Sequence, residues 1–162
     1  MSWSDVADTA CPIARTLAVV GDRWTLLVLR ELFLGGRRFD ELQAQTGMSP
    51  HLLSVRLKRL EADGVLARHP YSERPVRHEY RLTEKGLAFY PILLALKGWG
   101  ETWGGQPLEA EPALTIAHRD CGGEVGVTVR CSACDDEVEA RAATVTMGPD
   151  YSAERQARRD AA

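Results

Sequence analysis

No apolar run in this chain approaches the roughly 20 residues that a membrane-spanning helix needs. The opening stretch, Met1-Ser2-Trp3-Ser4-Asp5, has no basic region leading into an apolar segment, so a secretory signal is not expected and a cytoplasmic protein is. There is no phosphate-cradling glycine loop, no pair of carboxylates on one helix face, and no Ser/His/Asp arrangement, so an enzyme is not expected and no cofactor is required. Only 4 cysteines are present, and without a secretory context a disulfide framework is not expected. Aromatic residues are scarce at 7%. The sequence shows no internal repeat.

What is present is an ordinary globular composition, 44% hydrophobic and 27% charged over 162 residues, which is enough chain to bury a core. The net charge of -3 conceals an asymmetry. Residues 1–104 carry 14 Lys+Arg against 12 Asp+Glu, and the remainder 6 against 11. Within residues 37–85 the balance is 10 against 7. Affinity for a polyanion depends on where cations meet phosphates, so a locally basic face outweighs an acidic total.

The first hundred residues read as helices. Cys11-Pro12 opens one through residue 20, and Gly21-Asp22 ends it. Asp22 then caps an apolar helix over 23–34, which Gly35-Gly36 stops. A short helix over 39–46 ends at Gly47. Ser49 as N-cap and Pro50 in the first turn start another that runs to Asp63, with Gly64 behind it. The period then changes from 3.6 to 2: strands are expected at 65–71 and 77–82, split by the basic turn 72–76. Thr83 caps a last helix from 84 towards 103, with a kink or break at Pro91. An acidic linker follows Gly104, then β-branched stretches at 113–117, 125–130 and 137–146, and a frayed charged tail over 150–162.

Helix, short helix, tight turn, helix and basic hairpin is the order of a winged helix-turn-helix. The stripe Leu53, Leu57 and Leu60 must face the core. At about 100° per residue, His51, Val55 and Lys58 then lie opposite it, with Ser49 at the helix start and Ser54 on the flank. Such a face suits base edges in double-stranded DNA, and Val55 suits a thymine methyl. Arg56 and Arg59 sit to the sides, placed for phosphates or for intramolecular pairs. Arg74 and Arg77, with Arg68, put cations on the hairpin, where they suit backbone or minor groove. A solvated helix with an ordinary charged hairpin is the plain alternative.

The blocks Cys11-Pro12, Gly21-Asp22-Arg23-Trp24-Thr25-Leu26-Leu27, Arg38-Phe39-Asp40-Glu41-Leu42, residues 54–64 and Glu79-Tyr80-Arg81-Leu82-Thr83-Glu84-Lys85-Gly86 resemble, in order, those of the HxlR family of winged helix-turn-helix regulators. The resemblance covers about residues 11–103. It implies a mainly α fold with a β wing (α+β), and a homodimer joined through the N-terminal and last helices that binds inverted-repeat operators. Repression is the commoner outcome in that family. Some members use the cysteine at the position of Cys11 to sense oxidants; a small buried residue at the dimer interface is the alternative. Independently, Leu87, Tyr90, Leu93, Leu94, Leu96, Trp99 and Trp103 give the last helix more apolar surface than a small domain covers. Trp24, Tyr90 and Trp99 are candidate walls for an aromatic small-molecule effector.

The expected organisation is therefore a DNA-binding and dimerisation domain over 1–104, a small β-rich appendage over 105–149 and a flexible tail over 150–162. The appendage carries His118-x-x-Cys121 and Cys131-x-x-Cys134, which together offer the Cys₃His donor set of a structural, zinc-ribbon-like zinc site. Unliganded reduced thiols are the alternative. A competing function is a zinc-ribbon-type protein-interaction module scaffolded by the helices.

Overall fold

Each helix of the N-terminal half starts and stops where its flanking residues allow. The computed structural model describes residues 7–105, 107 and 111–161. Expectations about the first five residues and most of the acidic linker (106, 108–110) lie outside the described residues. Helix α1 (Pro12–Val20) has Pro12 in its first turn, where the missing N–H has no intrahelical partner. Helix α2 (Arg23–Phe33) is capped by Asp22, whose carboxylate accepts from the N–H groups of Trp24 at 3.0 Å and Thr25 at 3.2 Å. Helix α3 (Phe39–Thr46) begins under the Glu41 carboxylate, which accepts from the N–H groups of Arg37 and Arg38 at 2.9 and 3.0 Å. Those two bonds hold the Glu41 carboxyl below its ordinary pKa, the Arg37 bond contributing most. Gly47, at φ 68°, ends α3 in the left-handed region that a side chain rarely adopts. Ser49 then caps α4 (Pro50–Ala62) through Leu52 N–H at 3.3 Å.

Strands β1 (Leu66–Glu73) and β2 (Val76–Leu82) form an antiparallel ribbon in register from Leu66↔Leu82 to Glu73↔Val76. The ribbon is longer than its sequence pattern suggests. Pairing continues through Ser72 and Glu73, leaving only Arg74-Pro75 as the turn. The register shifts between Pro70 and Ser72, which leaves Tyr71 unpaired beside a residue that cannot donate to the ladder. A third, very short strand was not legible in the sequence: Tyr80 N–H donates to Arg37 C=O at 2.8 Å, and Arg38 bridges Glu79.

The core of this unit is Val28, Leu29 and Leu32 of α2, Leu42 of α3, Leu53, Leu57 and Leu60 of α4, and Val65 with Leu66, all buried. Burying each such side chain contributes about 1.5–3 kcal/mol. The helix expected over 84–103 is broken, as Pro91 requires, into α5 (Glu84–Leu87) and α6 (Tyr90–Trp103), with Pro91 in the first turn of α6.

The chain divides into two compact units, one formed by residues up to Leu87 together with those from Thr146, the other by Ala88–Val145. In the second, the expected strands do not form. Isolated bridges Ala117↔Glu124 and Arg130↔Glu137 close two turns, and residues 140–142 make a 3₁₀ turn. Every residue from 111 to 145 is exposed or half-buried, so the β-branched side chains find no opposing layer to pack on. The end of the chain also differs from expectation. The stretch read as frayed forms α7 (Pro149–Asp160), with Asp150 in its first turn and Arg158 and Arg159 in its last, matching the helix dipole. Two i,i+4 pairs support it, Glu154 with Arg158 and Gln156 with Asp160. Glu154 also accepts from Ala10 N–H at 2.8 Å, which ties α7 to the segment before α1.

Candidate nucleic-acid interface

The turn Gly47-Met48-Ser49 sets α4 across α3 and buries Met48 beneath it. With Leu53, Leu57 and Leu60 turned inward, His51, Val55, Lys58 and Arg59 are exposed, Ser49 is exposed at the cap, and Ser54 is half-buried on the flank. Val55, an aliphatic side chain, is 45% exposed on a helix otherwise lined by donors. That is the face the leucine stripe predicts.

The cations sort by partner. Arg56 is held by Asp22, Nη2 to Oδ2 at 3.0 Å, so one carboxylate caps α2 with one oxygen and anchors α4 with the other. Arg59 pairs with Asp63 at 2.9 Å yet its side chain remains 63% exposed. Arg68 pairs with Glu61 at 2.9 Å, tying the base of the wing to α4. Lys58, Arg74 and Arg77 have no ion pair or hydrogen bond among the described residues, and all three are exposed. Arg38 lies over the Tyr71 ring at 4.9 Å, bracing the unpaired residue of the ribbon.

Cys11 stands as the N-cap residue of α1, half-buried and not in a disulfide. The Ala14 N–H, then the Tyr151 hydroxyl of α7 and the Ile13 N–H, stabilise its thiolate and lower its pKa from the ordinary thiol value. The α7 contribution could not be read from a tail expected to fray.

A family model described as HxlR-like helix-turn-helix matches residues 19–107. The chain belongs to this family. It is a transcriptional regulator of the helix-turn-helix type. It is 40% identical over 141 residues to the HTH-type transcriptional regulator Rv3095 of Mycobacterium tuberculosis, covering 87% of this chain and 88% of that one. The regulator sll1512 of Synechocystis is 42% identical over 94 residues, 57% of this chain and 70% of its own. Among solved structures, PA1607, a candidate transcription factor, superposes with a TM-score of 0.78 at 34% identity, over 89% of this chain and 99% of that one. The reduced form of the redox regulator HypR superposes with a TM-score of 0.55 at 34% identity, over 59% of this chain and 95% of that one. Family and relatives are regulators and not enzymes. Among the described residues no helix is long and apolar enough to cross a membrane.

This HxlR-like chain also has a cavity of about 660 Å³ within its first unit, lined by Leu17, Asp22, Thr25, Val55, Arg56 and Arg59 among others. Trp24, Tyr90 and Trp99, expected as walls for an effector, are not among its lining residues. Buried beside it, Arg56 Nε has no hydrogen-bond partner. In the appendage, the structure brings His118 to Cys121, with Nδ1 3.2 Å from Sγ. It likewise pairs Cys131 with Cys134, whose backbone N–H, with that of Ala133, lowers the Cys131 pKa. No group of three or more potential metal ligands forms among the described residues, so the two pairs are not joined in this structure.

Proposed function

We propose that this regulator is a homodimer that reads inverted-repeat operators in double-stranded DNA and represses the genes beside them. The observation that carries the reading is the distribution of unpaired groups. His51, Val55 and Lys58 form a partner-free face on α4, and Arg74 and Arg77 are the unpaired cations of the adjoining wing. Base edges take the α4 face, with Ser49, Ser54 and Arg59 at its margins, and phosphates take the wing. Residues 1–104 carry binding and dimerisation, 105–149 the appendage and 150–162 the tail. Acting on chromosomal DNA, it works in the cytoplasm.

Dimerisation is supported by large apolar side chains left in solvent: Ile13 and Leu17 on α1, and Ile92, Leu96, Trp99 and Trp103 on α6, the last at 72%. Two-fold pairing of such a surface presents two α4 helices, and palindromic half-sites mirror that symmetry. Oxidation of Cys11 is the input we favour, because the thiolate-stabilising N-terminus of α1 supports it and HypR is a redox regulator at 34% identity. A small-molecule effector is a second reading, favoured by the cavity that Val55 and Arg56 of α4 line.

Fluorescence anisotropy on DNA flanking the protein's own gene tests the proposal, with unrelated duplex as competitor. Lys58→Ala and His51→Ala should each weaken specific binding by about 1–3 kcal/mol for the base interaction removed and leave competitor binding nearly unchanged. Equal weakening on both DNAs assigns Lys58 to phosphate. No salt-sensitive binding to any duplex defeats the reading and leaves a protein-interaction module in its place.

A further inference from the structure

We propose that the appendage binds one zinc ion per chain through His118, Cys121, Cys131 and Cys134. The sequence shows no repeat, but the backbone does. Around the first pair, His118 N–H donates to Gly123 C=O at 2.8 Å, Gly122 N–H to His118 C=O at 2.8 Å, and Val125 N–H to Ile116 C=O at 2.8 Å. Around the second, Cys131 N–H donates to Asp136 C=O, Asp135 N–H to Cys131 C=O and Val138 N–H to Val129 C=O, each at 2.9 Å. These are the same three bonds at a constant offset, and the bridges Ala117↔Glu124 and Arg130↔Glu137 fall at the same offset again.

The residue that follows the second donor of each pair is left-handed, Gly122 at φ 70° and Asp135 at φ 60°. Asp135 is the single non-glycine residue with positive φ among those described. An L side chain is held there at a cost, and here that conformation preserves the turn that presents Cys131 and Cys134 on one side. Two superposable knuckles, each with two soft or borderline donors at its tip, are the halves of a tetrahedral site.

The donor chemistry selects the ion. Three thiolates and an imidazole suit zinc and exclude magnesium or calcium, which take oxygen. Bond lengths of about 2.0–2.3 Å at a tetrahedral centre separate nitrogen from sulfur by about 3.6 Å. His118 Nδ1 and Cys121 Sγ already stand 3.2 Å apart. Asp120 Oδ2 lies 3.7 Å from Nε2, the other ring nitrogen, where a carboxylate orients a ligating imidazole. The knuckles stand as two pairs, and the ion is what draws them onto one centre, releasing three thiol protons to solvent. Physical need points the same way. None of residues 111–145 is buried, so this segment has no apolar core and an ion supplies the missing cross-link.

The test uses the full chain purified under reducing conditions without chelator. Elemental analysis should find about one zinc per chain, retained in Cys11→Ser and reduced below about a tenth in the double variant Cys121→Ser/Cys134→Ser. If that variant misfolds, the wild-type chain still decides. Titration with a mercurial should release zinc as three thiols react, and cobalt exchange should give thiolate charge-transfer and tetrahedral ligand-field bands. Less than a tenth of an equivalent, with no uptake of added zinc, overturns the proposal. So does zinc retained in the double variant, or half an equivalent shared between two copies. None of these outcomes bears on operator binding, which is measured separately.

Discussion

Asp22 is the residue whose removal has the most direct energetic consequence in this structure. Its Oδ1 accepts the N–H groups of Trp24 and Thr25, and its Oδ2 holds Arg56 of α4 at 3.0 Å. Replacing an N-cap aspartate by alanine costs about 1 kcal/mol. The ion pair is part-exposed, at 29% and 36% for the two side chains, so it contributes at most about 1 kcal/mol after screening. Arg56 Nε is already buried without a partner, and removing the carboxylate leaves the guanidinium with still less satisfaction, which favours the upper end. Asp22→Ala should therefore cost about 1–2 kcal/mol. Asp22→Asn keeps an oxygen for the cap and loses the charge, and should cost under about 1 kcal/mol. Urea unfolding of both variants at matched ionic strength gives the comparison, read as a midpoint change at constant slope. The reasoning fails if the two variants cost the same, because the capping oxygen then contributes nothing beyond charge. It also fails if the alanine variant costs under about 0.3 kcal/mol.

Arg77→Ala should weaken binding to specific and unrelated duplex alike. With one fewer phosphate neutralised per protomer, the slope of log affinity against log salt should flatten by about 1.8 per dimer, whereas Arg81→Ala, whose guanidinium is paired with Glu79, should change it far less. Cys11 should alkylate at neutral pH faster than an ordinary thiol, and Tyr151→Phe should shift its rate profile to higher pH by removing one thiolate-stabilising hydroxyl; coincident profiles would exclude the bond from α7. Glu154 has its pKa held below the ordinary 4.5, chiefly by Ala10 N–H, so docking of α7 is favoured above that value and weakens as pH falls through the lowered one. Exchange of the Ala10 amide followed by NMR between neutral and acidic pH should show protection disappearing over that range.

The winged unit is largely legible in the sequence because its signals are local. Asp22, Ser49-Pro50 and Gly47 fix helix ends through bonds spanning one turn, and the Leu53, Leu57 and Leu60 stripe fixes which face of α4 stays outside. The exposed reading face follows from that stripe alone. The wing reads shorter than it is, since Ser72 and Glu73 favour turns in isolation and join the ladder only because Arg77 and Val76 stand opposite them. In the appendage, β-branched composition suggests strands, yet a strand needs a partner surface that this segment does not offer.

Sequence alone determined the order of elements, the helix limits, the family and the orientation of α4, because periodicity and capping act within a few residues. Tertiary structure decided which cations are free. Arg56 is held by Asp22 and Arg68 by Glu61, while Lys58, Arg74 and Arg77 stay unpaired, and no local pattern distinguishes these cases. It also docked α7 against Ala10 and Cys11 across the length of the chain, and gave two unlike stretches of sequence the same knuckle. Backbone hydrogen bonds repeat there without the side chains repeating, and a repeat of that kind exists only in the folded chain.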